Sequence, residues 1–330
     1  MHLDFGYVRV AAAVPRAAVA DVAANVVSML PLAERAAEAG CDLVVFPELC
    51  LTAYTCADLF QQSVLVDAAE AGLVEFAART AGLPTVFVVG MPVRVDSRLY
   101  NCGVAVSAGK VLGVVPKSVL PSYKEFYEKR WFVSGVGVES SELVLAGQVV
   151  PFGTDLLFQA GNAPDFTIGI EICEDLWSPL PPSVRQALAG ATILVNLSAS
   201  DDLVGKADYR RQLVTQQSGR CLAAYVYSGA GVHESTTDLV FAGHCLVAEN
   251  ATMLKEGERF QRDPFLMMAD VDVSFLQHER GQNTAFLDAA VQQGRESGDG
   301  FRRHCFTARL DSAPPAELLR PLRSLPFVPG

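Results

Sequence analysis

Positive charge, histidine and phosphate-binding glycine loops are all scarce in this chain, and each shortage removes a class of function. Lys and Arg number 26 against 37 Asp and Glu, for a net charge of −11 at pH 7. With no local Lys/Arg stripe either, that balance opposes partnership with nucleic acid or an anionic membrane surface. No GxGxxG follows a predicted strand and no GxxxxGK(S/T) occurs, so dinucleotide and P-loop readings lose support. The five histidines are far apart, and the eight cysteines (Cys41, Cys50, Cys56, Cys102, Cys173, Cys221, Cys245, Cys305) include no CxxC. That spacing argues against a metal site. No apolar run reaches transmembrane length, and the N-terminus lacks the charged-then-apolar pattern of a secretory signal. The cysteines therefore read as reduced thiols of a cytosolic protein.

What is abundant is core-forming material. Of 330 residues, 50% are hydrophobic and 19% charged, enough for a large core and contrary to disorder. Val8–Val14 reads as a first strand, followed by helical spacing from Val19 to a C-cap at Gly40, with Pro31 expected to kink or break the helix. Asp42–Pro47 is a continuous apolar strand of the kind buried on both faces, ending at Glu48. A loop at Leu51–Ala57, a helix over Asp58–Thr80 and a strand at Thr85–Met91 come next. Tyr100–Ser107 and Lys110–Val115 form a hairpin that exits at Lys117. Pro121–Phe132 reads as a loop with some helix. In the second half, apolar strands end at Cys173 and at Leu197, Gly205–Arg220 is helical, and strands from Ala223 to Asp272 include a hairpin turning at Glu249-Asn250. Beyond about Phe275 periodicity fades, and the Pro-rich tail Ala313–Gly330 reads as a linker. Two rounds of strand–helix–strand with hairpins predict a layered α/β domain of two mixed sheets with helices outside.

The chemistry gathers at strand exits. Glu48, Lys117 and Cys173 each stand just past the C-terminal end of a predicted strand. If those strands are neighbours in one sheet, the three groups meet at its edge, where open α/β sheets bind ligands. The turn after Cys173 is expected to expose the sulfur. A thiol beside an apolar run is also, ordinarily, a small buried core residue. The company of the other two residues favours catalysis: a carboxylate takes the thiol proton, and a lysine beside the sulfur favours the thiolate and hydrogen-bonds an oxyanion, with the Glu174 N–H as a second donor. No histidine accompanies a strand exit, and His233 alone sits in a loop suited to the Cys–His alternative.

These residues, in the segments FPEL, VPK and EICEDLW, resemble the carbon–nitrogen hydrolases of the nitrilase superfamily. Further segments are similar to the glutaminase domain of glutamine-dependent NAD synthetases: ELCLTAYTCADLF from Glu48, LPSYKEFYEKRWF from Leu120, NLSAS from Asn196 with GKADYRR, and ESTTDLVF from Glu234. The resemblance implies a four-layer α-β-β-α sandwich that dimerises to extend its sheets, over residues 1–275, with 276–330 as a C-terminal extension and linker. It implies Glu48 as general base, Lys117 as catalytic lysine, Cys173 as nucleophile and Glu128 as a second active-site carboxylate, with Glu125 the weaker candidate. Tyr123, Phe126, Glu174, Ser200 and Lys206 fall where the family's glutamine pocket lies. It also implies that ammonia from glutamine passes through a tunnel to a synthetase domain, in cis or in trans. That domain is absent here, and with it the sites for ATP, Mg and deamido-NAD; no cofactor is expected in this chain. The chain stops at LPFVPG, about where a linker to such a domain would begin. Two other readings stand beside this one: a stand-alone amidase acting on an ω-amide or carbamoyl amine, and a regulatory module that keeps the fold without the chemistry.

Overall fold

A computed structural model describes residues 5–296, 300–309 and 317–321. The first half runs β1 (Tyr7–Val14), α1 (Val22–Glu38), β2 (Leu43–Val45), α2 (Ser63–Thr80), β3 (Val86–Val95), β4 (Arg98–Ser107) and β5 (Lys110–Pro116). A small hairpin follows, β6 (Glu142–Leu145) and β7 (Gln148–Pro151), then β8 (Leu156–Ala160) and β9 (Thr167–Ile172). The second half continues with α3 (Glu174–Trp177), α4 (Pro182–Leu188), β10 (Ile193–Ser198), α5 (Lys206–Arg220) and β11 (Ala224–Gly229). It closes with β12 (Cys245–Glu249), β13 (Thr252–Glu256), β14 (Phe265–Asp272), α6 (Val273–Gln282), α7 (Thr284–Glu296) and β15 (Arg302–Phe306). One mixed sheet has the order β14-β1-β2-β3-β4-β5 and the other β13-β12-β11-β10-β9-β8-β15.

The period-2 alternation of strands decides which layer each side chain joins. Leu43 and Val45 of β2 pack between the sheets with Ile168, Ile170, Ile193, Val195 and Val226. Val44, one residue away, faces Val26, Met29 and Ala33 of α1 and Phe76 of α2 on the outside. On the second sheet, Leu194, Tyr225 and Tyr227 face outward onto Ala187 of α4 and Val214 of α5. Central strands are thus apolar on both faces because helix covers one face and the opposite sheet the other. Each fully buried Val, Leu or Ile contributes about 1.5–3 kcal/mol. The architecture is the α-β-β-α sandwich of two mixed sheets.

Three stretches depart from what their local pattern suggests, for identifiable reasons. Pro31 neither breaks nor ends α1, which runs unbroken over Val22–Glu38. Pro31 and Val27, whose carbonyl loses its donor, lie on the exposed face, while Val26, Met29, Leu30 and Ala33 pack on the sheet. Packing of that face outweighs one lost hydrogen bond. The stretch between Phe132 and Phe166, to which no element was assigned from sequence, forms β6, β7 and β8. Their exposed Val144 and Val149 break the apolar-in, polar-out pattern that marks a strand. Nor does structure fade after Phe275: Val273 and Leu276 of α6 join the inter-sheet core, and β15 pairs in parallel with β8 at the sheet edge. Arg280 donates to the carbonyls of Ala191, Cys221 and Leu222. Of the tail Ala313–Gly330, residues 317–321 are described and the rest is not. Leu319 N–H reaches Asp270 at 2.6 Å, and Arg320 pairs with Glu249 at 2.7 Å.

Gly90 of β3 shows how tightly the sheet holds the turn after β2. A Cβ there would stand 2.3 Å from Leu49 N, 2.7 Å from Pro47 O and 2.9 Å from the Glu48 carbonyl carbon. Backbone on three sides cannot yield as a flexible side chain does. Gly90→Ala is therefore expected to lower the thermal midpoint by about 2–10 °C. Gly82→Ala, where nothing lies within 4 Å, should leave the midpoint nearly unchanged. Differential scanning fluorimetry of the two variants checks this.

Candidate active site

At one end of the sandwich the two sheets deliver four buried groups to a single cluster. Glu48 follows β2, Lys117 follows β5, and Glu128 opens a short 3-10 turn at Glu128–Arg130. Cys173 sits between β9 and α3 at φ 43°, ψ −99°, a left-handed-side backbone that a side chain rarely adopts. The strands concerned are not neighbours in one sheet. β3 and β4 separate β2 from β5, and β9 lies in the opposite sheet, so the groups meet across the sandwich. The sulfur is not exposed by its turn either, since Cys173 is only 3% accessible.

Lys117 is the hub. Its Nζ lies 2.7 Å from Glu48 Oε1 and 2.6 Å from Glu128 Oε1, with all three side chains fully buried. An ammonium has three protons, so one remains for another acceptor. Burial works against the charged lysine, but Glu128 and Glu48 overcome it and hold its pKa well above the ordinary value. Burial pushes the Glu128 carboxyl up, and Lys117 pulls it back. Asn101 of β4 donates to Glu48 Oε1 at 2.7 Å, and Ala199 N–H to Glu48 Oε2 at 2.8 Å. Tyr54 OH donates to Glu128 Oε1 at 2.8 Å, while Glu128 Oε2 is buried with no partner among the described residues. The Cys173 thiol is pushed well up by burial and by Glu48, with Lys117 pulling the other way. Ionising it therefore calls for a base.

Asp175 ties this cluster together across the sheets. Its Oδ1 accepts from the N–H groups of Ser118 (3.1 Å) and Val119 (2.8 Å), just after Lys117, and its Oδ2 from Ile172 N–H (2.9 Å), just before Cys173. Burial and the nearby Glu171 push this carboxyl up to about 8 against the pull of those donors. Asn196 of β10 accepts from Cys173 N–H at 3.1 Å and is itself held by Tyr225 OH at 3.1 Å.

Above the cluster opens a cleft of about 480 Å³ that reaches Cys173. Tyr123, Phe126, Glu174, Ser200 and Lys206 all line it, together with Glu125, Trp177 and Tyr209. Glu125 thus belongs to the cleft and Glu128 to the buried cluster. Tyr123 OH donates to Glu174 Oε1 at 2.7 Å, and burial raises the Glu174 carboxyl. Lys206 Nζ pairs with Asp201 and stands 5.6 Å from the Phe126 ring centre and 5.3 Å from that of Trp177. The lining carries both signs, Glu125 and Glu174 alongside Lys124 and Lys206. His233 does not line this cleft; it is half-buried and bonded to Arg262 O at 2.7 Å.

Asn101, Tyr54, Asp175 and Asn196 were not singled out from sequence. Tyr54, Asp175 and Asn196 lie inside segments already quoted, so proximity to the motifs was an available signal. Asn101 carries no such signal: it is the second residue of YNCG, an unremarkable position inside β4.

The carbon–nitrogen hydrolase family pattern matches residues 9–280. The glutamine-dependent NAD(+) synthetase of Mycobacterium tuberculosis (strain ATCC 25618 / H37Rv) is 46% identical over 328 residues, covering 98% of this chain and 47% of that protein. The protein of the same name from Thermotoga maritima is 29% identical over 254 residues, covering 76% of this chain and 40% of its own. The chain thus spans about half the length of the curated relatives it matches. Among solved structures, a glutamine-dependent NAD(+) synthetase from Cytophaga hutchinsonii superposes with a TM-score of 0.72 at 29% identity, covering 80% of this chain and 43% of that one. An amidase from Nesterenkonia sp. shares the fold at TM-score 0.63 and 21% identity, covering 84% of this chain and 95% of its own. Among the described residues no helix is long and apolar enough to cross a membrane. With that family pattern spanning most of its length, the chain belongs to the carbon–nitrogen hydrolases and is an enzyme of the nitrilase superfamily.

Proposed function

We propose that this chain hydrolyses the side-chain amide of glutamine through a Cys173 thioester and that the ammonia serves NAD synthesis by a synthetase domain, in cis or in trans. The observation that carries the reading is the buried Glu48–Lys117–Glu128 cluster beneath a cleft that reaches Cys173. The identity to relatives named glutamine-dependent NAD(+) synthetases supports it. The mixed charge of the lining suits a zwitterionic head group, with Glu174 toward an ammonium and Lys206 and Ser200 toward a carboxylate. Phe126 and Trp177 line the cleft alongside the aliphatic stem.

In this mechanism Glu48 takes the proton of the thiol as Sγ attacks the amide carbon. The third Lys117 proton and the Glu174 N–H face the oxyanion that develops. Collapse of the tetrahedral adduct breaks the C–N bond, and the proton held by Glu48 leaves on ammonia. Water then gives a proton to Glu48 and attacks the thioester, releasing glutamate and restoring the thiol. Glu128 keeps Lys117 charged and aimed. ATP, Mg and deamido-NAD act, in this reading, at the synthetase domain and not here.

Cys173→Ala is expected to abolish glutamine hydrolysis while leaving the circular-dichroism spectrum intact; turnover retained above any contaminant sinks the nucleophile. Because the folded-state thiol is raised above its ordinary value, its ionised fraction should grow throughout the neutral range. Iodoacetamide labelling of Cys173 should therefore accelerate steadily from pH 6 to pH 9; a plateau below pH 7 would reveal a resting thiolate instead.

Lys117→Met removes an oxyanion donor, so kcat should fall by about 10²–10³ with a much smaller change in substrate binding. A change confined to KM would reassign Lys117 to substrate positioning.

Supplied with glutamine, ATP and deamido-NAD, residues 1–330 should release glutamate slowly and form no NAD. Formation of NAD overturns the division of labour, and vigorous hydrolysis of another small amide with glutamine ignored supports the stand-alone amidase.

A further inference from the structure

Arg210 of α5 is among the largest fully buried side chains, and none of its described polar partners is a carboxylate. Its Nη2 donates to Ser200 Oγ at 3.1 Å, to Ser200 O at 3.4 Å and to Asp201 O at 2.8 Å. Its Nη1 lies 3.0 Å from His244 Nδ1, and the guanidinium stands 5.9 Å from the Tyr227 ring centre. A buried cation whose partners are all neutral acceptors leaves its field uncompensated along the wall that Ser200 presents to the cleft.

The hydrogen-bond inventory sets the polarity of this chain of contacts. Arginine has only protons to offer, so His244 Nδ1 must accept. A neutral His244 then carries its proton on Nε2, which lies 2.9 Å from Glu256 Oε1. Glu256 is in turn clamped by Arg211 at 2.7 and 2.8 Å. Burial lowers the His244 pKa, which favours this neutral form; Glu256 opposes that, and Arg210 and Arg259 reinforce it. By the same inventory Ser200 Oγ accepts from Arg210, so the Ser200 hydroxyl keeps its own proton to donate, with Tyr227 OH on one side and the cleft on the other. The Asp201 backbone that Arg210 grips carries the carboxylate that holds Lys206. Both donors on that rim, the Ser200 hydroxyl and the Lys206 ammonium, are therefore oriented from behind through one guanidinium.

We propose that Arg210, held in register by His244, is the positioning residue that makes the Ser200–Lys206 rim a donor-only edge selective for substrates bearing a carboxylate. The proposal deepens the reading of the cleft as a glutamine site and rests on it. Arg210 does not itself line the cleft, so its effect is on which substrate binds and not on the chemistry at Cys173.

The test labels Cys173 with two reagents and reads the site by mass spectrometry. One is 6-diazo-5-oxo-L-norleucine, which carries an amino-acid head group; the other is iodoacetamide, which carries none. His244→Leu keeps the guanidinium but removes its acceptor, avoiding the empty buried space that Arg210→Met would create. His244→Gln restores an acceptor toward Arg210 and a donor toward Glu256. In His244→Leu the half-saturating concentration of the amino-acid reagent should rise about tenfold or more, the cost of disturbing a hydrogen bond to a charged group. Iodoacetamide labelling of the same variant should stay within about twofold of the unsubstituted chain, and His244→Gln should recover most of the loss. Equal labelling of His244→Leu and the unsubstituted chain by both reagents overturns the proposal. So does a parallel loss with both reagents, or failure of His244→Gln to recover. If the unsubstituted chain shows no saturable labelling by the amino-acid reagent, it is the glutamine reading that fails.

Discussion

The arrangement depends on one buried ammonium shared by two carboxylates. Lys117 reaches Glu48 at 2.7 Å and Glu128 at 2.6 Å with no side-chain surface exposed on any of the three. Taking three charges out of water costs several kcal/mol per ion, and only close pairing with further hydrogen bonds offsets it. Those further bonds come from Asn101, Ala199 N–H and Tyr54 OH. Removal of any one partner leaves a charge or donor unsatisfied at depth, which is why the turns after β2, β5 and β10 cannot drift independently. The site charges therefore also restrain the fold around them.

The same economy of contacts joins the two sheets. Glu48 belongs to the first sheet and accepts from Ala199 beyond the second; Asp175 follows the second and accepts from Ser118 and Val119 beyond the first. Each link places a carboxylate from one layer over backbone N–H groups of the other. The strained Cys173 backbone is held within this lattice by Leu197 O at 2.9 Å and by Asn196. A nucleophile in a rare conformation persists when its surroundings over-determine it, and here strands from both layers do so.

Motif residues and their supports were unequally visible in the chain. FPEL, VPK and EICEDLW placed Glu48, Lys117 and Cys173 at strand exits because buried strands are unbroken apolar runs, and a charge or thiol at their ends stands out. A shared sheet edge required those strands to be neighbours, whereas β2 and β5 are separated by two strands and β9 lies in the other sheet. Pairing order is a long-range property, and strands of similar composition give no local sign of their neighbours. The hairpin β6–β7 escaped notice because its exposed valines remove the alternation that reveals a half-buried strand. The packing after Phe275 escaped because α6 and β15 dock through a few residues such as Val273, Leu276, Arg280 and Phe306, too few to form a periodic signal.

By itself the sequence determined the alternation of buried strands and amphipathic helices, hence the layered α/β architecture, and the identities of the carboxylate, amine and thiol at three strand ends. Those follow from local hydrophobic pattern and residue chemistry, which need no knowledge of distant partners. Tertiary structure alone decided that groups from both sheets meet in one cluster, that the thiol is buried and its pKa pushed up, and that Arg210 and His244 stand behind Ser200. Burial, charge pairing and proton placement depend on groups far apart in the chain: 151 positions separate Glu48 from Ala199, and 34 separate Arg210 from His244. Only the folded packing brings such groups within reach of one another.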